Sequence, residues 1–207
     1  QIELRILAHF SEDPAFLDAF RSGQDVHQRT AAEVFGIELA QVSSEQRRIA
    51  KAINFGLVFG QTDFGLAQVL RISRGEAKAY IQRFFERYAG VRTYMDSAIA
   101  QARQSGEVST LLGRRRPLPE IRASRPQDRA YAERIARNSP IQGSAADLLK
   151  VAMIRVDAGL GAFPGARLLL TVHDELVFEV PEDEIEWARE AVPRTMAGVA
   201  TLAVPLV

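Results

Sequence analysis

The sequence predicts an α+β protein, mostly helical, with a small antiparallel β-sheet toward its end. Two patterns carry that expectation. Through residue 105 the apolar residues recur with a period near 3.6, punctuated by Gly23, Gly36, Gly60 and Gly90. After Gly165 the character changes. Arg167-Leu-Leu-Leu-Thr-Val172 and Leu176-Val-Phe-Glu-Val180 are β-rich runs around His173-Asp174-Glu175, the pattern of a hairpin with a charged tip.

Taken in order, helices are expected near 12–21, 25–35, 44–59, 73–88 and 90–105. Asp25 with Gln28, Ser43 with Gln46 and Ser73 with Glu76 have the spacing of capping boxes. Residues 107–112, Gly113 and Arg114-Arg115-Arg116 read as a short strand and turn. Two more helices, near 126–138 and 140–158, are expected to break at Asn138-Ser139-Pro140, where Ser139 can cap and Pro140 suits a first helical turn. Arg167–Val172 is apolar enough to be a buried strand. Pro181 ends the hairpin, the acidic 182–192 segment starts a helix, and Pro193 should break or kink it.

Composition narrows the classes. At 207 residues the chain can form one large domain or two small ones. No run approaches the ~18 apolar residues of a membrane span, and the start has no signal-peptide pattern. The absence of cysteine excludes disulfides and thiolate metal sites, and fits a cytoplasmic protein. The net charge of zero hides segregation. Residues 101–140 hold nine Arg against four acids, and 174–190 hold eight acids against one Arg. The basic stretch reads either as a phosphate-binding surface or as a solvated face paired with the acidic segment.

The most informative segment is Arg47 to Gly60. Arg47, Lys51, Phe55 and Phe59 are each four residues apart, so on a helix they form one slowly drifting stripe. An amphipathic helix with exposed cations accounts for the spacing. A nucleoside triphosphate accounts for it too, since cations neutralise phosphates while a ring packs on sugar or base. Ile49, Ile53 and Leu57 offer the opposite face for docking. Gly56 and Gly60 each cost about 1 kcal/mol in a helix interior. Gly60 can end the helix, whereas Gly56 implies close approach to the backbone.

The acidic turn also carries two readings. Asp is common in turns for conformational reasons, yet adjacent carboxylates at the end of an apolar strand suit a hard cation such as Mg²⁺. His173 has no i, i+4 His partner for zinc.

Together these segments closely resemble family A DNA polymerases, the bacterial DNA polymerase I type, as a C-terminal polymerase-domain fragment. Gln1-Ile2-Glu3-Leu4-Arg5 is similar to the end of the family's first motif, Asp-Tyr-Ser-Gln-Ile-Glu-Leu-Arg. Arg47 to Gly60 resembles the nucleotide-binding helix, and Val172-His173-Asp174-Glu175 the palm hairpin. Gly113-Arg-Arg-Arg116 and Asn138-Ser-Pro-Ile-Gln142-Gly-Ser-Ala-Ala-Asp147-Leu fit in order and spacing.

The resemblance implies a division into 1–20, a palm edge; 21–138, helical fingers; and 139–207, a palm incomplete at its end. It implies template-directed addition of dNMP to a primer 3′ end by two-metal phosphoryl transfer. Asp174 would be a metal ligand with Glu175 in support, and the cofactor Mg²⁺, two ions in the complete enzyme. Arg47 and Lys51 would grip the triphosphate, with Lys51 protonating the leaving pyrophosphate. Phe55 and Phe59 would lie against the nucleotide, Gln1 and His27 would contact it, and Glu3 would be the steric gate against a 2′-hydroxyl. Arg134, Asn138, Gln142 and His173 would touch the DNA near the primer terminus. The implied partners are primer-template DNA and dNTPs, with no membrane, for a monomer in repair and replication.

Two departures qualify this. The family's metal-bridging Asp of the first motif falls before Gln1, so these 207 residues alone are expected not to extend a primer. Phe59 stands where many relatives carry Tyr, whose hydroxyl typically contacts the steric-gate Glu; the substitution implies a looser hold on Glu3. Two rival readings stay open: a non-catalytic DNA-binding protein using the 101–140 stretch, and a metal-dependent nuclease using Asp174-Glu175.

Overall fold

The computed structural model describes residues 2–161, 163, 165–173 and 175–206. Most of its early helices begin at a side-chain cap. The early helices are α1 (Ile2–Ser11), α2 (Pro14–Arg21), α3 (Val26–Phe35), α4 (Ser44–Val58), α5 (Asp63–Leu70), α6 (Arg74–Arg87) and α7 (Ala89–Ser105). Ser43 before α4 and Ser73 before α6 complete reciprocal capping boxes with Gln46 and Glu76. Asp25 caps α3 through two backbone N–H groups, of His27 and Gln28.

Two helices were not legible in the sequence. In α1 the run Leu4–Ala8 is buried throughout, so no period of 3.6 shows. Helix α5 starts at a Thr62 cap whose third residue on is Gly65, so no capping-box pair marks it.

The strand and turn after α7 form a hairpin, β1 (Glu107–Ser109) against β2 (Arg115–Pro117). A correction follows at 126–158. The two expected helices are one, α8 (Pro126–Leu160), with Pro140 inside it. Proline removes one backbone donor, but Pro140, Ile141 and Ser144 are buried by packing. The Ser144 hydroxyl also donates to the Pro140 carbonyl and accepts from Leu111 N–H, tying the β1–β2 turn to the helix. Tertiary contacts outweigh the local break.

The second hairpin pairs β3 (Arg167–Val172) with β4 (Glu175–Glu179), with an irregularity between Leu168 and Leu170. The expectation that β3 is buried is wrong. Leu169 is 54% exposed and Leu170 50% exposed, because α8 packs against β3 and one helix cannot cover both faces of a two-stranded ribbon. The acidic segment opens with a 3-10 turn, Glu182–Glu184, before α9 (Ile185–Ala197), which runs through Pro193 instead of stopping there.

The main core joins α1 through α7 with Ile141 and Leu148 of α8 and Val204. A second cluster joins Ile99, Ala102, Val108, Leu118, Ile121, Ala132 and Ala136. No helix among the described residues is long and apolar enough to cross a membrane. Ion pairs of the basic stretch run to Glu107, Glu133 and Asp147, and those of the acidic segment to Arg189 and Arg194. Among the described residues no ion pair joins the two segments.

Candidate functional site

Helix α4 docks through Ala50, Ile53, Asn54, Leu57 and Val58, all buried, and turns Arg47 and Lys51 outward. Phe55 and Phe59 continue that stripe, their rings stacked 6.2 Å apart at 15°. Ile53 and Leu57 are buried as expected, while Ile49 is half-buried. Phe59 caps the helix and Gly60, at φ +72°, leaves it. The close approach expected at Gly56 comes from the chain itself: a Cβ there would lie 2.2 Å from Gln61 Oε1.

Helix α3 lies against this stripe and brings His27 to it. The imidazole is 3% exposed, 5.6 Å from the Phe55 ring. Burial pushes His27 down to about 4; Asp25 opposes that, while Arg47 and Lys51 reinforce it. The imidazole is therefore neutral at pH 7. Asp25 has two tasks. Its Oδ1 caps α3, and its Oδ2 accepts from Arg47 at 2.6 Å and 3.1 Å. Burial alone would raise the Asp25 carboxyl, but the Arg47 guanidinium and the backbone N–H groups of Gln28 and His27 hold it below the usual carboxylate range.

Behind His27 lies a buried polar cluster that sequence reasoning missed. Asn54 Nδ2 is 3.0 Å from His27 Nδ1, and the Asn54 amide meets the Thr30 hydroxyl, which approaches Tyr88 Oη at 3.5 Å. Asn54 in the apolar face of a helix was the available signal, since a buried amide needs partners.

The other sequence-predicted residues are more dispersed. Glu3 lies in the first turn of α1. Arg134, on α8, reaches Gly60, where its Cγ would sit 3.2 Å from an added Cβ. Its guanidinium lies 5.5 Å from the Tyr131 ring centroid. Asn138 Oδ1 is buried without a hydrogen-bond partner among the described residues, while Gln142 lines a small cleft with Arg114, Arg116 and Ser139. His173 sits exposed in the hairpin turn at φ +55°, and Glu175 opens β4 opposite Val172. Gln1 and Asp174 lie outside the described residues. Among the described residues no three His, Asp or Glu cluster as a metal site.

Two further motifs meet each other. Arg114 donates to Asp147 Oδ1 at 2.8 Å, and Thr110 donates to Asp147 Oδ2 at 2.7 Å. Arg114 and Asp147 thus join the triple-arginine turn to the middle of α8.

The sequence model of DNA polymerase family A matches residues 1–207. The chain belongs to DNA polymerase family A. It is 54% identical over 208 residues to DNA polymerase I of Pseudomonas aeruginosa, covering 100% of this chain and 23% of that protein. It is 51% identical to DNA polymerase I of Lactococcus lactis subsp. lactis, covering 100% and 24%. The chain therefore spans about a quarter of the length of these curated relatives. The polymerase domain of Pol1 from M. smegmatis, solved in complex with DNA primer-template and dNTP, superposes with a TM-score of 0.96 at 47% identity. That match covers 100% of this chain and 37% of the other. For a family A polymerase segment, the α+β architecture of helices with two small antiparallel sheets is the matching one.

Proposed function

We propose that the protein carrying this chain is a template-directed DNA polymerase that adds dNMP to a primer 3′ end and releases pyrophosphate. The observation that carries the reading is the outward stripe of α4, where Arg47 and Lys51 continue into Phe55 and Phe59 beside the neutral His27. Two cations neutralise a triphosphate, and the Phe55 ring packs on the deoxyribose. In the in-line displacement the O3′ to α-phosphorus bond forms as the bond to pyrophosphate breaks. Lys51, set one helical turn beyond Arg47, stabilises the departing charge and donates its proton there.

Gln1, His27 and Phe59 complete the nucleotide contacts, and Glu3 is the gate against a ribose. Arg134, Asn138, Gln142 and His173 take the primer-template. The division into a palm edge (1–20), fingers (21–138) and palm (139–207) belongs to the same proposal, and its second boundary falls within α8.

The described residues do not by themselves fit a resident metal. Mg²⁺, two ions in the complete enzyme, is assigned through Asp174 with Glu175 beside it, and would supply positive charge at the reacting phosphate. The 207 residues alone are expected to be inactive. The setting is cytoplasmic, with the protein a monomer.

The test is Mg²⁺-dependent primer extension by the longest protein that carries this segment, beside Asp174→Ala and Lys51→Ala. Extension abolished by the first variant and slowed at least tenfold by the second supports the reading. DNA binding without extension in the parent would overturn it.

A further inference from the structure

The cluster behind His27 assigns a role to a residue that never meets solvent. A neutral imidazole carries one proton, and the nitrogen without it must accept. Asn54 Nδ2 approaches His27 Nδ1 at 3.0 Å as a donor, and the Thr30 hydroxyl binds the amide at both atoms, 3.2 Å from Oδ1 and 3.1 Å from Nδ2. Asn54 is fully buried on α4, the helix that also presents Arg47 and Lys51. His27 is on α3, one residue beyond the first position of a helix whose cap, Asp25, grips Arg47. The Asn54 amide and the Arg47–Asp25 pair thus both tie α4 to the start of α3.

We propose that Asn54 is a positioning residue that holds His27 as the Nε2–H tautomer, so that the imidazole serves as a neutral donor to a phosphate oxygen of the nucleotide. This rests on the nucleotide reading of the α4 stripe. Neutrality matters there. Arg47 and Lys51 already supply charge, and a third cation packed against them would be repelled, whereas an N–H donor adds direction without that cost. A reversed amide would force the proton onto Nδ1 and leave Nε2 as an acceptor facing phosphate oxygens, which are acceptors themselves.

The tautomer can be read directly from long-range ¹H–¹⁵N correlation of the histidine side chains at pH 7, with His27 assigned by its loss in His27→Gln. The expected result is a protonated Nε2 and a bare Nδ1. In Asn54→Asp the carboxylate accepts, so the proton should move to Nδ1. Binding of dNTP by the DNA-bound protein should weaken about tenfold or more, with DNA affinity unchanged. Asn54→Gln, which keeps the donor, should recover part of the loss.

An Nδ1–H tautomer in the parent protein overturns the proposal without needing any variant to fold. So does normal dNTP affinity in a folded Asn54→Asp, and in that case the nucleotide reading survives. Absence of dNTP binding in the parent would remove both the reading and the proposal built on it.

Discussion

At pH 7 the His27 imidazole is neutral in the fold, and in the unfolded chain it begins to protonate near its ordinary value of 6.5. In the fold it resists protonation until about 4. Between those values the unfolded chain binds a proton that the folded one does not, so stability falls with pH. The contribution is complete above pH 6.5 and lost on the way down to about 4, amounting to about 3 kcal/mol. Urea unfolding at pH 7 and pH 5 should show a steeper acid loss for the parent than for His27→Gln. Equal acid losses would contradict the buried neutral imidazole. Phe59 makes a separate prediction. Phe59→Tyr, which adds a hydroxyl to the exposed end of the stripe, should increase discrimination of dNTP over rNTP, by about 0.5–1.5 kcal/mol if one hydrogen bond to Glu3 forms. Competitive insertion in the complete enzyme measures it, and unchanged discrimination would count against Glu3 as its partner.

Single elements show how much the chain announces in advance. Helices α3, α4 and α6 were legible because a cap, a period and a terminating residue agree within one short window. Helix α8 was misread because Pro140 and Ser139 are strong local signals, while the bonds that override them come from Leu111, far away in sequence. The β3–β4 hairpin was legible as a hairpin, but its burial was not. An apolar strand states what it prefers, and only the neighbouring elements decide whether it is covered. The same holds at the site. The stripe of Arg47, Lys51, Phe55 and Phe59 is a spacing and could be read, whereas the grip of Asp25 on Arg47 and of Asn54 on His27 depends on how two helices pack. Helix α9 offers a test of local cost. Pro193 is exposed within it and removes the donor to the Arg189 carbonyl. Pro193→Ala should stabilise the protein by about 1–3 kcal/mol, read as a raised denaturation midpoint. No change would mean that the helix is frayed there.

Across the whole molecule, the neutral total charge conceals a basic region around β1, β2 and the start of α8. Arg115 is exposed despite its contact with Glu107, and Arg116 is held by the Ser139 hydroxyl at 2.7 Å. If this surface meets a phosphate backbone, each lost arginine removes about one released counterion. Replacing Arg115 and Arg116 by Gln should therefore reduce the salt dependence of DNA affinity by about two in log–log slope. An unchanged slope would place the duplex elsewhere. Helix α8 joins this basic region to the β3 hairpin across 35 residues, about 50 Å at the usual rise. At Pro140 the backbone bond to Ala136 is already missing, so bending there disturbs one hydrogen bond fewer than elsewhere in the helix. The helix is then two lever arms, about 20 Å and 30 Å long, joined at a hinge that the β1–β2 turn clamps through the Leu111 bond to Ser144. A change of angle at that clamp would swing the acidic turn and the basic surface relative to each other while both ends of the helix stayed intact.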